Sequence, residues 1–249
     1  MAWIINFHEH PYPGVHEFME QNHVKAAVLL PGPQTNDTVL RWAEKWPGRF
    51  IPFYWVDLSD PTRAADELEV AVRQRGHRGI KFQPLVQRFY PNEPRLRPLF
   101  AKAQELGIPV LFHFGVVAFD NHYAQYANPV YVDELADQFG ELNIVIAHMG
   151  GNYSYEALVI AEKNPNVYLD TAYLHFFCNR SLPKVKPIDL IRRAVEFAGP
   201  HKVLYAFEGT RPSVILDSDL REEHKKLILW QNAKRLLNLP EPDWAANQP

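Results

Sequence analysis

A single cysteine, Cys178, stands among 249 residues, so the chain closes no internal disulfide and suits a reducing compartment. It also lacks a basic excess. Lys and Arg number 26 against 29 Asp and Glu, a net charge of −3 with His neutral, which offers little to neutralise phosphates and argues against nucleic acid as a partner. Long apolar runs are missing too: Pro, His or charge breaks each one well short of the roughly 20 residues a membrane span requires. The opening Met1–His8 has neither a basic start nor a long apolar segment, so no signal peptide is expected. There is no internal repeat, low-complexity tract or composition break to mark a second domain. What is present is a 47% hydrophobic content with 6 Trp, 15 Phe and 11 Tyr, ample for a large core and incompatible with disorder. The expectation is one soluble, cytoplasmic domain over residues 1–249, with about 238–249 as a coil tail and homo-oligomerisation left open.

Short apolar runs alternate with longer amphipathic stretches along the whole chain. The runs are Trp3–Phe7, Val24–Leu30, Phe50–Val56, Gly79–Phe82, Pro109–Phe114, Asn143–Ala147, Val167–Leu169 and Val203–Phe207. They show little polar alternation, the mark of strands buried on both faces in a parallel sheet. Helices are predicted over Asp37–Trp46, Pro61–Arg75 (after the N-cap Asp60), Leu96–Leu106, Val130–Phe139, Ser154–Lys163 (opening on a capping residue), Ile188–Phe197 and Leu220–Leu236, the last and longest. Eight strand–helix alternations in a chain of this length predict a single (β/α)₈ TIM barrel. A doubly wound sheet needs fewer units and usually carries G-x-G-x-x-G after its first strand, which is absent here.

In such a barrel the chemistry sits at the carboxyl ends of the strands. Those ends carry His8-Glu9-His10, Lys81, His113, His148, Asp170 and, after the last strand, Glu208. Residues two apart on a strand face the same way, so His8 and His10 can share one ion with Glu9 turned aside. Neutral imidazoles suit Zn²⁺, and a catalytic zinc site keeps one position open. Four histidines at three strand ends point to metal binding. His16, His23, His77, His122, His175, His201 and His224 read instead as ordinary core or surface residues. Lys81 is open between a structural lysine, an anion clamp and a metal-bridging carbamate; Asp170 between orienting a catalytic group and capping a turn. Arg88, in the loop after the fourth strand, is a candidate for pairing with a substrate carboxylate. Lys81, Arg88 and Asp170 make up the expected substrate-binding set. Two long loops hold Phe119, Tyr123, Tyr126, Phe176 and Phe177, which suit an aromatic substrate or a dimer contact.

The ordered series His8-x-His10, Gly79-Ile80-Lys81 with Pro84, Val110–Gly115 with its His, Ile144–Gly151 with His-x-Gly-Gly, Val167–Thr171 and Val203–Pro212 resembles the amidohydrolase superfamily. Within it the series is similar to the amidohydrolase-related branch that includes aminocarboxymuconate semialdehyde decarboxylase and hydroxybenzoate decarboxylases. The resemblance covers nearly the whole chain and implies a TIM barrel with His8, His10 and His113 as metal ligands. His148 would be a further ligand or the residue that activates a metal-bound water. The family usually closes with Gly-Ser/Thr-Asp-x-Pro; here Ala206-Phe207-Glu208-Gly209-Thr210-Arg211-Pro212 puts Glu for Asp, and Asn6 stands where Asp is frequent. Glu208 and His148 are therefore the candidate catalytic residues, and Glu208 a candidate ligand. One divalent ion, zinc by ligand softness, is the expected cofactor, and a small molecule the expected partner. The expected reaction is hydrolysis of a small amide, ester or lactone through a metal-activated water, the broader activity of the superfamily. Non-oxidative decarboxylation of a small aromatic carboxylate is the alternative, and a degenerate metal-binding barrel without turnover is a further one.

Overall fold

Runs of Val, Ile, Leu and Phe with no polar alternation can bury both faces only inside a parallel sheet covered by helices. In the computed structural model, which describes residues 3–117, 120 and 122–240, they pair in parallel and in chain order. The strands are β1 (Ile4–Glu9), β2 (Val24–Leu29), β3 (Phe50–Pro52), β4 (Tyr54–Trp55), β5 (Ile80–Phe82), β6 (Val110–Phe112), β7 (Ile144–Ile146), β8 (Val167–Asp170) and β9 (Val203–Leu204). The expected third strand is thus split in two. Pro52 has no N–H to extend a ladder. Beyond it Phe53 still donates to Leu29 O at 3.0 Å, while Tyr54 donates to Gly79 O at 2.8 Å on the other side. Phe7 N–H donates to Tyr205 O at 2.8 Å and links the last strand to the first. The fold is a (β/α)₈ TIM barrel.

Side chains alternate across each strand and build two apolar layers. Leu111, Val145, Tyr168 and Leu204 pack inside with Ile5 and Phe7. Val110, Phe112, Ile144 and Leu169 meet the surrounding helices. The helix Pro61–Arg73 starts on Asp60, whose carboxylate accepts from the N–H groups of Thr62 and Arg63. Ser154 is the first residue of its helix rather than the cap, a position held by Tyr153 without a side-chain hydrogen bond. The expected long last helix comprises Glu222–Lys226, a π turn at Leu227–Gln231, and Asn232–Leu236. Within that π turn, Ile228 O accepts from Tyr205 N–H at 2.9 Å. Residues 241–249 of the expected tail, and Phe119, lie outside the described residues. Among the described residues no helix is long and apolar enough to cross a membrane.

Candidate metal centre

Local backbone irregularities aim the polar residues of the barrel mouth. The pairing of β1 with β2 shifts register between Asn6 and Glu9, an irregularity of the kind that redirects a side chain. Phe7 belongs to the inner layer, yet its neighbour His8 also reaches across the barrel, donating from Nδ1 to Asp170 Oδ2 at 2.8 Å. Asp170 Oδ1 accepts from the backbone N–H of His148 at 2.7 Å and of Ala172 at 3.0 Å. One buried carboxylate therefore orients His8 and the backbone of His148.

After β7 the chain turns through left-handed conformations at His148 (φ 57°), Met149 (φ 48°), Gly150 (φ 81°) and Gly151 (φ 60°). A Cβ on Gly151 would come within 2.5 Å of Gly115 Cα, after β6. Only glycine permits that approach of two backbones, and it brings the two strand ends close enough for His148 Nε2 to lie 3.0 Å from His113 Nδ1.

Hydrogen-bond partners assign the ring protons. His8 Nδ1 faces the Asp170 carboxylate, while His10 Nδ1 faces Leu30 O and His148 Nδ1 faces Ala172 O, both at 3.0 Å. Those oxygens only accept, so each Nδ1 donates and each Nε2 keeps its lone pair. His148 Nε2 accepts from His113 Nδ1, which leaves the lone pair of His113 on Nε2. His8 Nε2, His113 Nε2 and Glu208 Oε2 are buried with no hydrogen-bond partner. Orphaned polar atoms of this kind are costly unless a ligand meets them. Imidazole nitrogens converging with one carboxylate oxygen are the donor set of a divalent metal, and the residues fit one.

A ring nitrogen of His8, one of His148 and a carboxylate oxygen of Glu208 lie within 4.8 Å of one another. Glu208 Oε2 is 3.4 Å from His8 Nε2 and 3.8 Å from His148 Nδ1. Ring centres are 5.5 Å apart for His8 and His10, 4.9 Å for His8 and His148, and 4.6 Å for His113 and His148. The structure thus gathers all four histidines with Glu208. Burial is the main cause lowering every one of these imidazoles, His10 to about 4 and His148 to about 3. They are neutral near pH 7, the form that binds metal. Burial raises the carboxyls of Asp170 and Glu208, and the nearby Lys81 ammonium opposes both shifts. Glu9 is raised to about 7, again by burial, against the pull of the His10 N–H.

Glu208 sits on a strained turn, at φ 23°, outside the ordinary range for a residue with a side chain. The surroundings hold it there. Phe207 N–H donates to Asn6 Oδ1 at 2.9 Å, Ala206 N–H to Thr171 Oγ1 at 2.8 Å, and Tyr205 Oη to Thr210 O at 3.1 Å.

A cavity of ≈740 Å³ opens beside these groups, and its lining includes His10, Lys81, His113, Glu208, Tyr173 and Phe176. Lys81 is 2% exposed, and its Nζ has no partner. Two of the expected substrate-binding residues fall elsewhere. Asp170 is fully buried, and its oxygens are spent on His8, His148 and Ala172. Arg88 instead donates to Tyr123 Oη at 3.1 Å, with its guanidinium over that ring. Of the loop aromatics, Phe176 lines the cavity, Phe177 packs on His148 at 5.6 Å, and Tyr126 lies against Tyr90. Sequence reasoning missed Tyr173, Arg180 and Asn152 in the cavity wall. The last accepts the Val116 N–H at 2.7 Å, and its place just after Gly150-Gly151 was the available signal.

The family model described as Amidohydrolase matches residues 15–239, beginning just after His8 and His10. Over 165 residues the chain is 26% identical to gamma-resorcylate decarboxylase from Rhizobium sp. (strain MTP-10005), covering 56% of this chain and 50% of that protein. The chain spans about half the length of the curated relatives it matches. Among solved structures it resembles an uncharacterized TIM-barrel protein from Bordetella bronchiseptica, with TM-score 0.81, 19% identity and coverage of 95% and 99% of the two chains. A dihydroxybenzoic acid decarboxylase from Polaromonas sp. JS666, with bound manganese and 2-nitroresorcinol, matches with TM-score 0.76, 18% identity and coverage of 98% and 99%. Both of these relatives named for a reaction are decarboxylases. That overturns the expectation of amide, ester or lactone hydrolysis, because the same ligands serve either chemistry and the ligands alone had decided nothing between them.

Proposed function

The chain belongs to the amidohydrolase family, and from that premise we propose that it is a divalent-metal-dependent decarboxylase of a small aromatic acid. The observation that carries this reading is the cluster of His8, His148 and Glu208, with His8 Nε2, His113 Nε2 and Glu208 Oε2 buried and unpartnered, beside a cavity in a chain similar to decarboxylases. His8, His10, His113 and Glu208 would hold one ion, with His148 bracing the His113 ring through its Nε2. Zinc suits the imidazoles, and manganese, which the Polaromonas relative holds, suits the carboxylate. When bound, the ion supplies positive charge that holds substrate oxygens and stabilises negative charge building on them.

The protein's own groups account for the rest of the exchange. The bond from ring carbon to carboxylate breaks, carbon dioxide leaves with no bonding pair, and a proton takes its place on that carbon. Glu208 is the proposed donor, because its carboxyl faces the cavity beside the candidate ligands. Solvent then returns a proton to it. His148 does not take that part, since both of its ring nitrogens are engaged. The buried Lys81 ammonium is the proposed anchor for the substrate carboxylate. Tyr173 and Phe176, stacked at 4.8 Å, offer a flat apolar surface to the ring.

The test is an assay of metal-loaded protein with 2,6-dihydroxybenzoate and related hydroxybenzoates, following the phenol product by chromatography. Turnover should require on the order of one ion per chain, stop with chelator and return with Mn²⁺ or Zn²⁺. Fully loaded protein that yields no phenol from any of these acids overturns the reading.

A further inference from the structure

The first strand carries a polar network that the proposed reaction does not use. Asn6 is fully buried, and its side chain bonds three ways. Its Oδ1 accepts from the N–H of His8 at 3.1 Å and of Phe207 at 2.9 Å, and its Nδ2 donates to Glu9 Oε2 at 3.0 Å. Glu9, 3% exposed, accepts on Oε1 from the N–H of His10 at 3.0 Å. Two side chains therefore grip the backbone of His8, of His10 and of the residue before Glu208.

We propose that Asn6 and Glu9 form a clasp that sets the spacing between the His8–His10 pair and Glu208. Both are positioning residues, and the inference rests on the metal site of the reading above. Three features argue for it over plain stitching of the barrel. Closure at this seam is already provided by Phe7 N–H on Tyr205 O. The clasp bonds fall on backbone N–H groups of two candidate ligands and on the neighbour of a third. Glu208 stands at φ 23°, a conformation that persists only when its surroundings impose it.

The residue types also answer to the task. Position 6 must accept two N–H groups and donate to a carboxylate, which one amide does. Aspartate there offers only acceptors and sets two buried carboxylates against each other. Position 9 must accept from both the Asn6 amide and the His10 N–H, which a carboxylate does with its two oxygens. The pair can be exchanged: in the Asn6→Asp, Glu9→Gln double variant the amide at position 9 donates back to the carboxylate at position 6. Its oxygen accepts from His10, and every bond and the net charge are kept.

That exchange is the experiment. Mn²⁺ binding to metal-free protein is measured by calorimetry for wild type, Asn6→Asp, Glu9→Gln and the double variant, with melting of each metal-free form recorded alongside. Each single substitution should weaken Mn²⁺ by about 10- to 100-fold, the usual effect of losing a group that orients a ligand. The double variant should recover most of that loss. A double variant no tighter than the weaker single overturns the clasp, as does wild-type affinity in both singles. If Asn6→Asp melts far below wild type, Glu9→Gln alone decides: weaker binding at unchanged melting supports the clasp, and unchanged affinity sinks it. Wild-type protein that binds neither Mn²⁺ nor Zn²⁺ overturns the metal reading itself and takes the clasp with it.

Discussion

Lys81 and Lys202 are both buried, at 2% and 5% exposure, and burial pulls both ammonium groups below their ordinary pKa. Their surroundings differ at every other point. Lys202 precedes β9, at the amino ends of the strands, and donates to Asn164 O at 2.7 Å, Pro165 O at 2.6 Å and Val167 O at 3.1 Å. Lys81, on β5, faces the cavity beside Glu208 and His113, and its Nζ has no acceptor. The same residue type is satisfied at one end of the barrel and unsatisfied at the other. A buried charge with a full set of acceptors holds the fold together, whereas one without them calls for a ligand to complete it. Substitutions at the mouth should therefore cost function and spare stability, and substitutions at the opposite end should do the reverse.

The largest expected effect at the mouth is that of Glu208→Gln. The amide keeps size and hydrogen bonding but neither donates a carboxyl proton nor brings a charge to an ion. Groups of this kind contribute about 10²- to 10⁴-fold, so kcat should fall by that order while thermal melting of the metal-free protein stays put. Wild-type kcat in this variant would move the proton to another group and break the mouth half of the comparison. Lys81→Met comes next. A hydrogen bond to a charged partner is worth about 1.5–3 kcal/mol, so kcat/KM should drop roughly 10- to 150-fold. Melting should be unchanged or higher, because an ammonium without acceptors is replaced by an apolar chain of similar length. A large loss of stability would show instead that Lys81 holds the barrel.

How much of this was legible in the sequence depends on the range over which each feature is decided. Apolar runs such as Val110–Phe112 and Ile144–Ile146 declare a buried strand locally, and the histidines following them declare the mouth. The switch of partner between Phe53 and Tyr54 was not legible, because it depends on which neighbour each N–H of two adjacent residues finds. Period-two alternation turns Glu9 away from its neighbours, but the register shift in β1 breaks that alternation and lets Glu9 hold the His10 N–H. Asp170 read as equally suited to orienting a catalytic group or capping a turn, and its contacts divide between its oxygens: one takes His8 and the other takes the N–H groups of His148 and Ala172. Arg88 had the chemistry of a carboxylate clamp, but the contact that takes it, Tyr123, lies 35 residues along the chain.

The smallest predicted effect tests the other end. Lys202→Met removes the donor shared by two carbonyls of the turn between the helix Ser154–Lys163 and β8 and by that of Val167, the first residue of β8. That turn is also held by Val167 N–H on Asn164 O at 3.2 Å, Asn164 N–H on Ile160 O at 3.0 Å, Ile144 N–H on Asn166 O at 2.9 Å, and the Asn164 and Asn166 side chains. Methionine fills much of the same volume, so the cost is mainly the unmet acceptors, about 1.5–3 kcal/mol. In a domain of this size each kcal/mol moves melting by about 2–4 °C, so Tm should fall by roughly 3–12 °C. The folded fraction should keep its kcat and KM, because the cavity lining holds no part of this turn. Wild-type melting would mean that water satisfies the carbonyls as well as the ammonium does, and the contrast between the two lysines would then reduce to the mouth alone. A loss of kcat at unchanged melting would show that the amino ends of the strands reach the chemistry, against the separation of roles from which the comparison starts.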